Sequence, residues 1–453
     1  MTFDILVIAG GTIFGLSLAL LVIIHYLKFG TVIKQWFKLG SFIEVTTLLK
    51  KISWQNYYES MLRGSTGKPL ERPFGTPIHF FWLDRIQFKP VYLSHLPLES
   101  KVLVDPQVIL GPQARKPLIL KLPVMVGGWS ISAVSLKTKL ALAKASILSG
   151  TATNCGSGPF VEEVRMGAEK YILQYTKGFW SKSEAILRQA DMIEIALGQG
   201  AWGPAPKRIK GYEVTPDFAR RLVAIPGLNV LADSRLPEVE SLRDWRDLVN
   251  RLKEITGGVP IGVKFGGTHY LEKELELMVE GGVDIIVLDG KEGGTHAGPS
   301  LLLDDVGLST FPSLCRAAQF FEKHSLKGKI SLVIGGGLFS PGDFLKCLAL
   351  GADAVIVGTI AALTMSNIQV NKSLPWEPPT GILYRNAKES DLYDPEKGGI
   401  TLNNYFQSCV LEMEAVARSL GKSSFKDIGR EDLVALDSLY ARTAGIETVT
   451  GFR

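Results

Sequence analysis

Glycines stand at two neighbouring places where this chain could hold a phosphate. Gly335, Gly336 and Gly337 follow the apolar run Ser331–Ile334, and Gly358 and Thr359 follow the run Ala354–Val357. Between them, Phe344, Leu345, Cys347, Leu348 and Leu350 have helical spacing. Strand, glycine turn, helix, strand and second glycine turn place bare backbone N–H groups at two consecutive strand ends, where side chains would block a close approach. In (β/α)8 barrels a cradle of this kind follows strands seven and eight. Active sites on that fold lie at strand C-termini, so the other strand ends supply the remaining candidates. They are Gly127, Gly128, Trp129 and Ser130 after the first strand, then Asn154, Cys155, Gly156 and Ser157 after the second. Glu194 and Gln199 belong to the fourth strand and its loop, Lys264 to a later strand, and Asp289, Lys291, Glu292, Gly293, Gly294 and His296 to the next.

Lys264 follows the buried run IGV, which aims its ammonium at the barrel mouth. A buried cation needs a negative partner. A phosphate or an anionic reduced flavin would serve, and so would an ion pair with Asp289 or Glu292. Glycine-rich ends on the first and last strands leave room for a large flat ligand, with Gln199 and backbone N–H groups at its edge. FMN fits that description, its phosphate at the cradle and its isoalloxazine over the centre. Lys264, Glu292 and His296 are the catalytic candidates; His296, in the loop GGTHAGP, is a candidate proton donor and substrate contact. Cys155 has no base beside it and reads as a structural thiol.

From Leu120 onward, short buried strands alternate with helices at Ser135–Leu148 and Trp245–Ile255, a pattern that implies a parallel sheet. Nine strand candidates compete for eight barrel places. Asn229–Leu231 reads as the fifth of the series, and one short strand is expected to be an extra element. A doubly wound open sheet is the alternative, but its glycine fingerprint would lie near the start. The predicted fold is a TIM barrel over residues 116–365. A transmembrane anchor at 1–30, a juxtamembrane and lid segment at 31–115, and a C-terminal extension at 366–453 complete it. That extension is expected to be irregular to 403, with a helix at Leu411–Leu420.

The run 5–24, ILVIAGGTIFGLSLALLVII, is uncharged and has about the 20 residues a bilayer span requires. Asp4 precedes it and Lys28, Lys34 and Lys38 follow, which predicts a single-pass anchor with the catalytic body in the cytoplasm. Residues 36–49 are a candidate interfacial segment. A net charge of +5 in 453 residues gives no argument for nucleic acid. Cys155, Cys315, Cys347 and Cys409 form no CxxC pair, so neither a zinc nor an iron–sulfur site is legible.

Over residues 70–445 the chain resembles the FMN-binding, glutamate-synthase-like family. GGWSISAVS is similar to that family's first-strand FMN loop, IEIALGQGAWG to its IQIK-AQGAKPG motif and PIGVKFGG to its SVKL strand. VLDGKEGGTHAGP resembles its ISG-DGGTGASP loop, and GGGLFSPGDFLKCLALGADAVIVGT its phosphate region. The resemblance implies a (β/α)8 barrel with FMN. It also marks departures. The glutamate of the family's NTGEGG motif is Ser157 here, and two lysines that would hold 2-oxoglutarate are Ala196 and Trp202. The cysteine run for an iron–sulfur cluster does not follow Gly358-Thr359, so no cluster is expected, and no glutaminase domain is expected either.

The expected function is a membrane-anchored FMN-dependent oxidoreductase using an external electron donor. Its small-molecule substrate is made more apolar by Trp202, of a lipid or quinone-like kind. The alternatives are glutamate synthesis from 2-oxoglutarate with ammonia or a partner glutaminase, and a non-catalytic flavin or phosphoester scaffold.

Overall fold

Runs of three to six residues that are buried on both faces build the central sheet, as parallel strands covered by helices require. In the computed structural model they are β1 (Val124–Val126), β2 (Ala152–Asn154), β3 (Lys170–Tyr175), β4 (Met192–Ala196), β5 (Ile261–Gly266), β6 (Ile285–Asp289), β7 (Ser331–Gly335) and β8 (Ala354–Val357). The structure describes residues 71–72, 76, 78, 82–295, 298–367, 369 and 379–451. The candidate anchor at 5–24, the interfacial segment at 36–49 and His296 lie outside them. Among the described residues no helix is long and apolar enough to cross a membrane.

All eight strands are parallel, and β1 pairs with β8, so the order runs around a TIM-barrel-like sheet. Between β2 and β1 the seam is held by Thr151, whose hydroxyl donates to the Val124 carbonyl at 2.8 Å. Inside, Met125, Ala152, Ile172, Met192, Ile285, Val287, Val333, Ala354 and Ile356 fill the lumen, making it a packed core rather than a pore. An antiparallel hairpin, Val108–Leu110 with Leu118–Leu120, adds its buried residues to that cluster. Its turn reaches the N-terminal strand ends, where the Gly111 N–H donates to Ser331 Oγ at 3.0 Å. The hairpin thereby covers the bottom of the barrel.

One strand candidate is an extra element, as the surplus over eight implied, and one expectation is corrected. The extra strand is Val230–Ala232, which pairs antiparallel with Lys207–Ile209 above the mouth rather than joining the barrel. The C-terminal helix spans Pro395–Ser419, capped by Asp394, whose carboxylate accepts from the Glu396 and Lys397 N–H groups. Gly398 and Gly399 lie in its first two turns. They are where this helix closes on the helix Leu136–Ser149: a Cβ on Gly399 would lie 2.7 Å from Lys144 Cγ and 3.0 Å from the Ala141 carbonyl. The tail also pairs back onto the leading segment through Leu433–Ala435 and Ile86–Phe88.

Candidate active site

Strand periodicity decides which side chains enter the mouth. Ile261, Val263 and Phe265 of β5 belong to the outer core between sheet and helices, so Lys264 faces the barrel axis. The same alternation turns Asn154, Gln174, Glu194 and Asp289 inward above the apolar lumen. One layer of polar groups from β2 to β6 therefore caps the core.

These groups satisfy one another. Glu194, 1% exposed, accepts from Gln174 Nε2 at 2.6 Å and Asn154 Nδ2 at 3.1 Å. Lys264 Nζ lies 3.6 Å from Asp289 Oδ2, which also accepts from the Gly200 N–H at 3.3 Å. Burial would lower the Lys264 pKa, but the Asp289 and Glu194 carboxylates outweigh it and hold the ammonium above its usual range. The mouth thus carries an ammonium paired with Asp289, with Glu194 buried in the layer below.

Beside Lys264 is a cavity of about 70 Å³, lined also by Gly127, Gly128, Asp289, Gly293, Gly294, Gly336, Gly337, Gly358 and Thr359. Its glycines are of two kinds. Gly336 and Gly337 have φ of +110° and +63°, and a Cβ on Gly336 would meet the Gly290 backbone. Gly358 meets nothing within 4 Å where a Cβ would stand, so its bareness leaves open space rather than relieving a clash. The helix Thr359–Asn367 starts there, presenting backbone N–H groups to an anion. Glycines that a Cβ would fill, next to a helix start and a fixed ammonium, suit a flat phosphorylated cofactor.

Two further cavities adjoin. One of about 150 Å³ is lined by Ser130, Ser157, Lys207 and Tyr384 among others, and one of about 400 Å³ by Ser157, Lys177, Trp180, Trp202, Lys207, Arg208, Lys210 and Lys264. Gln199 lines all three. Lys207 Nζ donates to Ser157 Oγ at 3.1 Å. Burial lowers the Lys207 pKa and Glu213 partly restores it. Trp202 lines the cavity of about 400 Å³ with its Nε1 tied to the Ala205 carbonyl at 3.0 Å.

Other candidates take supporting places. Glu292 is not part of these linings: its Oε2 accepts from Thr310 N–H at 2.8 Å and Thr310 Oγ1 at 2.9 Å, capping the helix Thr310–Lys323. Its carboxylate is committed to that helix start, which corrects the catalytic expectation. Asn154 and Glu194 form the support behind the cavity, and Gly335 stays in the sheet with its missing Cβ turned toward Asp289. Cys155 is buried, which pushes its thiol up to about 11 and fits the structural reading. Among the described residues no three His, Cys, Asp or Glu side chains converge as metal ligands would. Sequence reading missed Lys207, Gln174 and Lys139.

Residues 90–423 match the conserved region of glutamate synthase. A glutamate synthase large subunit-like protein of Rhizobium meliloti is 30% identical over 408 residues, covering 85% of this chain and 92% of that protein. An archaeal-type glutamate synthase [NADPH] of Thermotoga neapolitana is 28% identical, covering 71% of this chain and 64% of that one. Among solved structures, a variant of an active chimera of (S)-mandelate dehydrogenase superposes with a TM-score of 0.52 at 13% identity, covering 85% of this chain and 96% of that chain. The flavin-binding domain of baker's yeast flavocytochrome b2 superposes at 0.50 with 17% identity, covering 82% and 81%. The structural likeness concerns the fold; the sequence match, over most of the chain, places this protein in the family defined by the conserved region of glutamate synthase.

Proposed function

We propose that this protein is an FMN-dependent oxidoreductase whose small-molecule substrate is an anion held beside the flavin. The carrying observation is the basic cavity of about 400 Å³ that shares Gln199 and Lys264 with the glycine cradle. Gly336, Gly337, Gly358 and the start of the helix at Thr359 would hold the FMN phosphate. Gly127, Gly128, Gln199 and Lys264 would meet its ring system. Bound FMN supplies two-electron redox chemistry. The chain's part is to hold Lys264 positive, so that negative charge developing at the mouth is stabilised. Lys207 and Ser157 orient the substrate's acid group. His296, in the loop between Thr295 and Gly298, is the proposed proton donor.

An apolar substrate was expected from Trp202. That indole does line the cavity, but the charge comes from Lys177, Lys207, Arg208 and Lys210, outside the motifs that carried the expectation. Lys207 also supports a second reading, glutamate formation from 2-oxoglutarate and ammonia, because it supplies a cation where two lysines expected from the resemblance are Ala196 and Trp202. Reducing equivalents come from an external donor, and residues 5–24 anchor the catalytic body to the cytoplasmic face of a membrane.

Anaerobic reoxidation of the photoreduced, FMN-loaded protein separates these substrate classes. Rapid reoxidation by small oxo acids supports the proposal, and glutamate formed from 2-oxoglutarate with ammonium supports the second reading. Reoxidation by a short-chain quinone with no response to any acid contradicts both.

A further inference from the structure

We infer that Lys139 is a positioning residue for the flavin site, a buried amine that ties the β1 and β2 loops together from behind. Lys139 comes from the helix Leu136–Ser149, outside the sheet, and is 1% exposed. Its Nζ donates to the Trp129 carbonyl at 2.8 Å and to the Asn154 carbonyl at 2.6 Å. Those carbonyls belong to different strand ends. Trp129 follows β1 and walls the two smaller cavities; Asn154 closes β2 just before Ser157.

The same two loops also approach each other closely at glycines, Gly128 against the Asn154 and Gln174 side chains and Gly156 against the Trp129–Ser130 backbone. A Cβ on Gly128 would lie 2.8 Å from Asn154 Oδ1, and one on Gly156 would lie 2.4 Å from the Ser130 nitrogen. Contact through bare glycine backbone has little stiffness of its own. The seam therefore depends on the hydrogen bonds behind it. Asn154 passes the constraint on, since its Nδ2 donates to Glu194 Oε1 and Glu194 is one of the carboxylates that hold Lys264 charged.

An isosteric apolar side chain would fill the space yet leave two buried carbonyls without donors. Burial drives the Lys139 pKa down to about 8, the Cys155 thiol acting weakly in the other direction. An amine keeps at least two N–H donors in either protonation state, so the clamp does not depend on the charge.

The inference rests on the FMN reading only for its binding measurement; the loop measurement needs no cofactor. Amide hydrogen exchange of the full-length apo-protein is compared for wild type, Lys139→Met and Lys139→Gln. In Lys139→Met, peptides covering 127–133 and 154–160 should exchange about tenfold or more faster while those of β5–β7 do not change. FMN affinity, read by quenching of flavin fluorescence, should weaken about tenfold to hundredfold. Lys139→Gln, which keeps two donors, should recover part of both effects. Should Lys139→Met not fold, Lys139→Gln carries the test, with smaller changes in the same two loops. Unchanged exchange in those loops, or acceleration spread evenly over the barrel, overturns the inference. Wild-type protein that binds no FMN would remove the proposed cofactor while leaving the exchange result to judge the clamp.

Discussion

The Lys207 ammonium and the Ser157 hydroxyl are hydrogen-bonded at 3.1 Å across the floor shared by two cavities. Lys207 lies on the strand Lys207–Ile209 above the mouth, and Ser157 follows β2. The contact joins an inserted pair of strands to the barrel at the point where a substrate would be held.

Lys207→Met should therefore weaken binding of small mono- and dicarboxylates about tenfold to hundredfold, by loss of one charge-assisted hydrogen bond. FMN affinity should not change, because Lys207 does not line the glycine cradle. Titrating the flavin absorption bands with each acid measures both quantities. Equal acid affinities in the two proteins would remove Lys207 from the substrate site.

Gly358→Val isolates the cradle from the fold. No neighbouring atom lies within 4 Å of the position its Cβ would take, so the melting temperature of the apo-protein should stay within about 2 °C. FMN binding should fall at least about tenfold, since the new side chain enters the space proposed for the phosphate. Gly336→Ala is the contrast. Its φ of +110° and its nearness to Gly290 make it destabilising before any cofactor is added. A Gly358→Val protein that binds FMN normally would move the phosphate elsewhere.

Lys264→Met should lower stability by about 3–5 kcal/mol, because Asp289 would keep a buried charge without its cation. Adding Asp289→Asn should restore part of the loss. Denaturant unfolding of the two single variants and the double variant gives the coupling. Strict additivity would show that the pair, at 3.6 Å, contributes nothing specific.

A pH effect is expected at the bottom of the barrel. Burial raises the Asp353 carboxyl from 3.8 to about 6, while its hydrogen bond from the Leu332 N–H opposes the shift. The folded state therefore holds this proton more tightly than the unfolded chain. Its contribution is full below pH 3.8 and is lost as pH rises through about 6. Asp353→Asn removes the titration. Relative to wild type, the variant should gain about 2–3 kcal/mol of unfolding free energy between pH 3.5 and pH 7. A difference that stays flat over that range would rule the effect out.

Strands and glycine turns were legible because β5 to β8 are short apolar runs punctuated by glycine, and Lys264 was legible because it interrupts such a run at its far end. Lys139 was not, since KTKLALAK reads only as part of a helix and carries no site motif. A signal was nevertheless present: Lys139 shares the helical stripe of Leu142, Ser146 and Ser149, all but Leu142 polar and all four buried. Lys207 stands in the charged run KRIK, which carries no motif, and the strand paired with Val230–Ala232 brings it to the cavities. Glu292 misled because spacing along the β6 loop cannot say whether a carboxylate faces the cavity or caps the helix beginning at Thr310. The start of the C-terminal helix was not legible because Gly398 and Gly399 have low helix propensity, which a tertiary close approach overrides.

The visible spectrum of the detergent-purified full-length protein, followed by identification of the released cofactor, tests the proposal most directly. A yellow protein with two flavin bands that bleach with dithionite and FMN as the released compound is the expected result. A colourless protein that FMN cannot reconstitute would contradict it.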